Sequence, residues 1–371
     1  MAAGGPEFRS CARQPSGSNV TEVASYRRNP ASETTIASPA ISILLPAFNG
    51  GRFLDEQLRS VLLQTFSLFE LLIYDDGSTD GTWAIIKAHA DADVRIRAWN
   101  SSKNSGQGDA LLYLLDRAKA PLISFCDQDD VWAPDKLELL VRSVGSADLA
   151  YGASPLIDAN GHTVGQDLFA FTGPPNAGRD PIQYLAVNTT SAHAMLVRRD
   201  LLSSRHFNQM SDFDHLIAIA ASARNGVVYV ETSFTLHRIH DRNKTHSKLT
   251  EKRPRRPANE RAKSRHKKAQ APAALITAAL NSLNPAAPMR SALERLHAIA
   301  NELLVSHAWL VNATFDAREL EVLLRSISSD ERAIRRVIRR FRKLARGPLH
   351  PANWLNALSW RRLHGIVDKA E

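Results

Sequence analysis

Between residues 41 and 126, short apolar runs alternate with helix-spaced segments, and each run stops at a polar turn. Ile41-Ser-Ile-Leu-Leu is closed by Pro46, and Phe53, Leu54, Leu58, Val61 and Leu62 then recur near helical spacing, which predicts a helix over 53–64. A second apolar run over 69–74 stops at Asp75-Asp76-Gly77. A helix over 82–90, an alternating strand over 94–99, a helix opening after Gly108 and a strand ending at Cys126 follow in turn. Parallel neighbours need a crossover between them, so this alternation predicts an α/β fold with a mostly parallel sheet and helices on both faces. Ligands in such sheets bind beyond the carboxyl ends of the strands. Asn49, Asp75, Asp76, Asp127 and Asp129 all fall there.

The run Leu122-Ile-Ser-Phe-Cys is followed at once by Asp127-Gln128-Asp129-Asp130-Val131-Trp132. Alternate residues of an extended chain share a face, so Asp127 and Asp129 can point the same way. Two carboxylates that close repel unless a cation lies between them. A hard divalent ion, Mg²⁺ or Mn²⁺, is the usual solution, bridging to phosphates of a substrate. The alternative is an acidic turn ahead of a helix that opens near Pro134.

The 371 residues suffice for one large domain or two ordinary ones, and 44% apolar with 23% charged residues is a globular composition. Two cysteines, Cys11 and Cys126, make neither a disulfide framework nor a metal site, and so favour a reducing compartment. No apolar run approaches the roughly 18 residues of a spanning helix, and the first residues lack the apolar core of a signal peptide, so a cytoplasmic location is expected. Charge divides the chain. Residues 1–241 hold 20 Lys+Arg against 27 Asp+Glu, a balance of −7, and residues 242–371 hold 27 against 11, a balance of +16.

Residues 1–38, rich in Ala, Ser, Gly and Pro, read as a disordered leader. After Asp148 strands are expected over 149–153, 190–197 and 227–231, with a helix over 214–224. Residues 246–270 read as a basic linker and 271–371 as a helical, basic extension.

Ile41-Ser-Ile-Leu-Leu-Pro46-Ala47-Phe48-Asn49-Gly50, Tyr74-Asp-Asp-Gly-Ser-Thr-Asp80-Gly-Thr82 and Asp127-Gln-Asp-Asp-Val-Trp132 resemble the family 2 glycosyltransferases. The likeness continues through Ser191 to Arg199, Asp214 to Ala218 and His237 to Asn243, and the wording at Asp127 is nearest the rhamnosyltransferase-like branch. The resemblance implies a GT-A nucleotide-binding domain over 39–245 and a nucleoside-diphosphate sugar as donor. It further implies base and ribose contacts from Pro46, Ala47, Asn49, Asp75 or Asp76 and Asp127, and a divalent ion on Asp129 with Asp127. Asp130 would touch the sugar or hold the turn. In the family an Asp at the start of the helix after the acceptor-side strand is the general base of an inverting transfer, which implies Asp214, with Asp212 as its neighbour. The segment 237–243 lies near the diphosphate in the family, giving His240 and Asn243, and His193 would lie beside the acceptor pocket or in the core. Asn104-Ser-Gly-Gln-Gly-Asp109 is either a phosphate contact or a plain loop, because it lacks the spacing and the Lys of a phosphate-cradling motif.

Toward the end of the chain Ile334, Val337, Ile338, Phe341, Leu344 and Ala345 fall at helical spacing with six Arg or Lys residues between them and Arg346 just after, and Trp354 and Trp360 follow. This composition suits docking on an anionic membrane surface, the inner face of the plasma membrane, or packing against a partner; nucleic acid has no reader motif here. The expected activity is transfer of a sugar, rhamnose on the branch resemblance, to a cell-surface glycan or lipid-linked acceptor. The alternatives are a sugar-1-phosphate nucleotidyltransferase, which would carry a Gly-rich basic loop absent at 46–52, and a non-catalytic scaffold.

Overall fold

The computed structural model describes residues 20–23, 38–203, 207, 213–241, 290–291, 294–299 and 317–345. Its frame is one sheet in the order β1-β4-β3-β2-β5-β10-β7-β11-β8-β9. The strands β2 (Ile41–Ala47), β3 (Phe69–Asp75), β4 (Ile96–Ser101) and β5 (Leu122–Phe125) run parallel. They are joined by α1 (Leu54–Leu62), α2 (Thr82–Ala92) and α3 (Gln107–Arg117), as the alternation predicts.

Period-two alternation sorts each strand onto two cores. Ile41, Ile43, Leu45 and Ala47 of β2 pack with Leu54, Leu58 and Val61 of α1 and Ile86 of α2. Leu44 of the same strand faces Leu111 and Leu114 of α3 on the other side. Register pairs Pro46 with Tyr74 and Ala47 with Asp75, so the ends of β2 and β3 are level. The Cys126 amide donates to the Leu44 carbonyl, which carries the pairing to the edge of the acidic motif.

β10 (Met195–Arg198) runs antiparallel between β5 and β7 (Leu149–Ala153), and β11 (Val227–Arg238) is parallel to β7. The expected strand over 190–197 is shorter than its apolar pattern suggested. Ala192–Ala194 form a 3₁₀ turn, and the ladder begins only at Met195. β11 runs well past the expected 231, because its register shifts between Val230 and Phe234. At that shift Gly152 lets the backbones close, since a Cβ there would lie 1.9 Å from the Ser233 carbonyl oxygen. The upper half of β11 then pairs with β6 (Val131–Trp132) and β8 (Pro155–Ile157), and β8 pairs with β9 (Thr163–Asp167). His237 and Arg238 are thereby delivered to the acidic motif.

The helices α4 (Lys136–Val144), α5 (Phe169–Thr172), α6 (Pro181–Ala186) and α7 (Phe213–Ala223) complete the domain. Asp148, fully buried, joins the start of β7 to the end of α7 through two bonds from the Arg224 guanidinium, at 2.6 and 2.7 Å.

Two expectations need correction. Within the segment read as a structureless leader, β1 (Val20–Val23) pairs antiparallel with β4. The amphipathic tail helix, α9 (Glu331–Ala345), follows α8 (Ala317–Ile327) and packs on α6. Its Ile334, Val337 and Ile338 are buried in the same core as Leu111 and Tyr184, so these three residues of the apolar face are not available to a lipid interface. Arg332, Arg335, Arg336 and Arg339 remain exposed on its other side. Trp354, Trp360 and the expected linker 246–270 lie outside the described residues. Among the described residues no helix is long and apolar enough to cross a membrane.

Ile334→Ala should lower unfolding stability by about 2–5 kcal/mol, the cost of a large-to-small change in a packed core. Urea unfolding in lipid-free buffer measures it, and a change near zero would return this face to the solvent or a membrane.

Candidate active site

The loops after β2, β3 and β5 are stapled together by side chains that bond backbone. The Gln128 amide accepts from the Phe48 N–H at 2.8 Å and donates to the Phe48 carbonyl at 3.1 Å. Gly50 makes room for it, because a Cβ there would lie 2.3 Å from Gln128 Oε1. Asn49 sits at φ 49, a left-handed geometry that Asn tolerates better than most residues. Its amide donates to Ser78 Oγ and its Oδ1 accepts from the Thr79 N–H, both at 2.9 Å.

Asp75 and Asp76 have different work. Asp76 accepts from the Ser105 N–H, the Ser105 hydroxyl and the Gly106 N–H at 2.7–2.9 Å. It is a clamp, and the Ser105 and Gly106 amides of the 104–109 loop are committed to it. Asp75 takes the Ser78 amide and hydroxyl on one oxygen, and its other oxygen has no partner among the described residues. Burial raises its pKa against those bonds from Ser78. Pro46 and Ala47 lie beside it at the end of β2.

The three motif carboxylates differ by depth. Asp127 is the most open, with a third of its side chain exposed, and its Oδ2 lies 3.4 Å from His193 Nδ1. Asp129 Oδ2 lies 2.9 Å from His240 Nε2, and the His240 ring packs against Phe53 at 4.8 Å, tilted by 38°. Burial first, then the Asp130 and Asp127 charges, hold the Asp129 carboxyl above the usual range despite its bond to His240. Asp130 is fully enclosed and touches no solvent, which removes the expectation that it meets a sugar. It accepts from His237 Nδ1 at 2.9 Å and from the Arg238 amide at 3.1 Å. Burial pushes Asp130 up, but His237 and His193 outweigh it and bring the carboxyl to about 2. Burial likewise opposes charge on His237, and Asp130 overcomes it, holding that imidazole at about 9.

The two histidines spaced by three residues therefore serve two different carboxylates and form no metal pair. Asp130, His193 and His237 do bring ligand atoms within 4.8 Å of one another. The His193 and His237 rings are stacked at 4.6 Å and 6°, so a cation in the plane of one ring's lone pair is out of the plane of the other's. Asp127 and Asp129 suit a divalent ion better. Their oxygens are hard donors, the pair is open on one side, and Asp129 carries a repulsion that a cation relieves.

Asp214 opens α7, where its Oδ1 accepts from the His215 amide at 2.7 Å. Phe213 meets the Phe125 ring at 5.3 Å, which sets this helix start beside the end of β5. Asp212 and Asn243 lie outside the described residues. His193 is buried, with its ring enclosed by protein rather than facing a pocket.

Sequence reasoning missed Lys136 and Arg238. Lys136 Nζ, fully buried, donates to the His193 carbonyl at 2.5 Å and sits 3.3 Å over the Trp132 ring; burial lowers its pKa to about 7. Its signal was available, because 136, 140 and 144 share one helix face and Leu140 and Val144 are core residues. Arg238, which donates to the Asp129 carbonyl and pairs with Glu56 at 2.6 Å, had none. It follows inward-facing His237 at a strand position that alternation turns outward.

A fragment of S. aureus TarS in complex with UDP-GlcNAc superposes with TM-score 0.49 and 18% identity over 82% of this chain and 90% of that one. Among curated sequences, the teichuronic acid biosynthesis glycosyltransferase TuaG of Bacillus subtilis is 37% identical over 100 residues, covering 27% of this chain and 40% of TuaG. A glycosyltransferase of Nostoc sp. is 34% identical over 143 residues, 38% of this chain and 43% of the relative. The chain thus spans about two fifths of the length of these relatives. Residues 42–205 match the family described as Glycosyl transferase family 2. That segment holds nearly all of β2 through β10 together with the acidic motif.

Proposed function

We propose that this chain is a metal-dependent, inverting glycosyltransferase that takes a sugar from a nucleoside diphosphate. The observation that carries this is the convergence of Asp75, Asp127 and Asp129 at the carboxyl ends of β3 and β5, with Asp75 and Asp127 keeping open oxygens and the Asp129 carboxyl made less acidic than usual by burial and its carboxylate neighbours. Asp75, with Pro46, Ala47 and Asn49 shaping the loop, receives the base of the donor. Asp127 meets the ribose or the ion. Asp129 and Asp127 hold Mg²⁺ or Mn²⁺, which when bound neutralises the departing diphosphate. His240 steadies Asp129 on the diphosphate side, and the family resemblance adds Asn243 as a further diphosphate contact.

Asp214 accepts the proton of the acceptor hydroxyl as its oxygen attacks the anomeric carbon. The bond to the diphosphate breaks on the opposite face, and its electron pair leaves with the phosphate oxygen. Placement of α7 next to the end of β5 supports this role. The acceptor is a cell-surface glycan or its lipid-linked precursor, a choice supported by the name of the TuaG relative. The sugar is a hexose or deoxyhexose, with rhamnose favoured by the wording of the Asp127–Trp132 run. Attachment to an anionic inner leaflet is electrostatic, through Arg332, Arg335, Arg336 and Arg339, because Ile334, Val337 and Ile338 of α9 are in the core. It should therefore weaken with salt in liposome sedimentation.

A panel of nucleotide sugars with Mn²⁺ tests the proposal by release of nucleoside diphosphate, slow without acceptor and fast with one. No release from any donor would set the chain among non-catalytic relatives. Asp129→Asn should abolish the metal dependence of nucleoside diphosphate binding in calorimetry, since an amide replaces a charged hard-oxygen ligand. Asp214→Asn should bind donor as the wild type does and transfer at least about 10²-fold more slowly, the lower range for a positioned general base.

A further inference from the structure

His193 is held from every side. Its carbonyl accepts from Lys136 Nζ at 2.5 Å and from Thr235 Oγ1 at 3.1 Å. Its Nε2 bonds Ser154 Oγ at 2.9 Å, and its ring stacks on His237 at 4.6 Å. Nδ1 alone faces the acidic motif, 3.4 Å from Asp127 Oδ2 and 3.6 Å from Asp130 Oδ2. Two carboxylate oxygens facing one ring nitrogen require that nitrogen to carry hydrogen, since a lone pair there would meet negative charge from both sides. Asp130 Oδ2 is buried and has no hydrogen-bond partner among the described residues, so His193 Nδ1 meets it at 3.6 Å as an ion-pair contact only. The Nδ1–H is therefore directed between a fixed, buried carboxylate and the nearer, more open Asp127.

We propose that His193 is a positioning residue, which turns Asp127 toward the donor through its Nδ1–H and is itself anchored by Lys136, Thr235, Ser154 and Asp130. These four anchors come from α4, β11, the loop after β7 and the motif itself, so the direction of one exposed carboxylate is set by three distant parts of the fold. This rests on the donor role proposed for Asp127, but the pairing itself does not.

Nitrogen-15 NMR of the full-length protein labelled at histidine tests the pairing without substrate. His193 should be hydrogen-bearing at Nδ1, and Asp127→Asn should shift its Nδ1 resonance while leaving the fold intact. A bare Nδ1, or a resonance indifferent to Asp127→Asn, would overturn the proposal. The second measurement is calorimetric binding of UDP and of GDP with Mn²⁺. His193→Phe keeps the ring and loses the N–H, and should weaken binding about tenfold or more, the effect of one hydrogen bond to a charged group. His193→Asn keeps an N–H at the position of Nδ1 and should stay within about threefold of wild type. Equal losses in both variants would make His193 a packing residue only. If the wild type binds neither nucleotide, the donor proposal fails, and the NMR result still decides the pairing.

Discussion

A carboxylate with no access to water must be surrounded by positive charge and N–H groups, and Asp130 is the point from which the rest of this site is built. Its partners, His237 and the Arg238 amide, come from the far end of β11, more than a hundred residues away in sequence. Leaving such a group half satisfied costs more than the bonds contribute when complete. The register shift in β11, the missing side chain at Gly152 and the pairing of β6 with β11 all bring His237 within reach. The closing of the sheet over the acidic motif follows from that need.

Around this fixed point the other carboxylates separate by role. Asp76 ties the third loop to the second, and Asp75, level with Ala47 at the strand ends, keeps an open oxygen. Gln128 binds the first loop to the motif through the backbone of Phe48, and Asp129 leans on His240. Asp127 stands forward of them, with a third of its side chain in solvent. The gradient of burial from Asp130 to Asp127 means that the carboxylate nearest solvent is backed by groups that no ligand reaches. Such backing is what lets polar groups meet a ligand without reorganising.

Much of the frame was legible because it is written in local periodicity. The β2-to-β5 half follows from the alternation of apolar runs and helix-spaced segments, and the burial of Ile41, Ile43 and Leu45 opposite Leu44 is that alternation made physical. What was not legible depends on long-range pairing. Nothing near Asp130 tells that His237 will enclose it, and nothing in 163–167 tells that this exposed, polar run is an edge strand. The amphipathic α9 shows a different failure. Its helical period was plain, but a period says that one face is apolar and not whether protein or lipid covers it, and here α6 and the core do. Likewise the 104–109 loop has amides placed to receive an anion, and the anion proves to be Asp76 from within the chain.

The central claim is that Asp129 and Asp127 hold a divalent ion together with the diphosphate of a sugar nucleotide. Anomalous diffraction from crystals grown with Mn²⁺ and UDP or GDP tests it most directly. The claim predicts a single manganese peak within about 2.0–2.4 Å of an Asp129 carboxylate oxygen, bridged to both phosphates. Nucleotide bound at the ends of β2, β3 and β5 with manganese elsewhere, or with none, would contradict it.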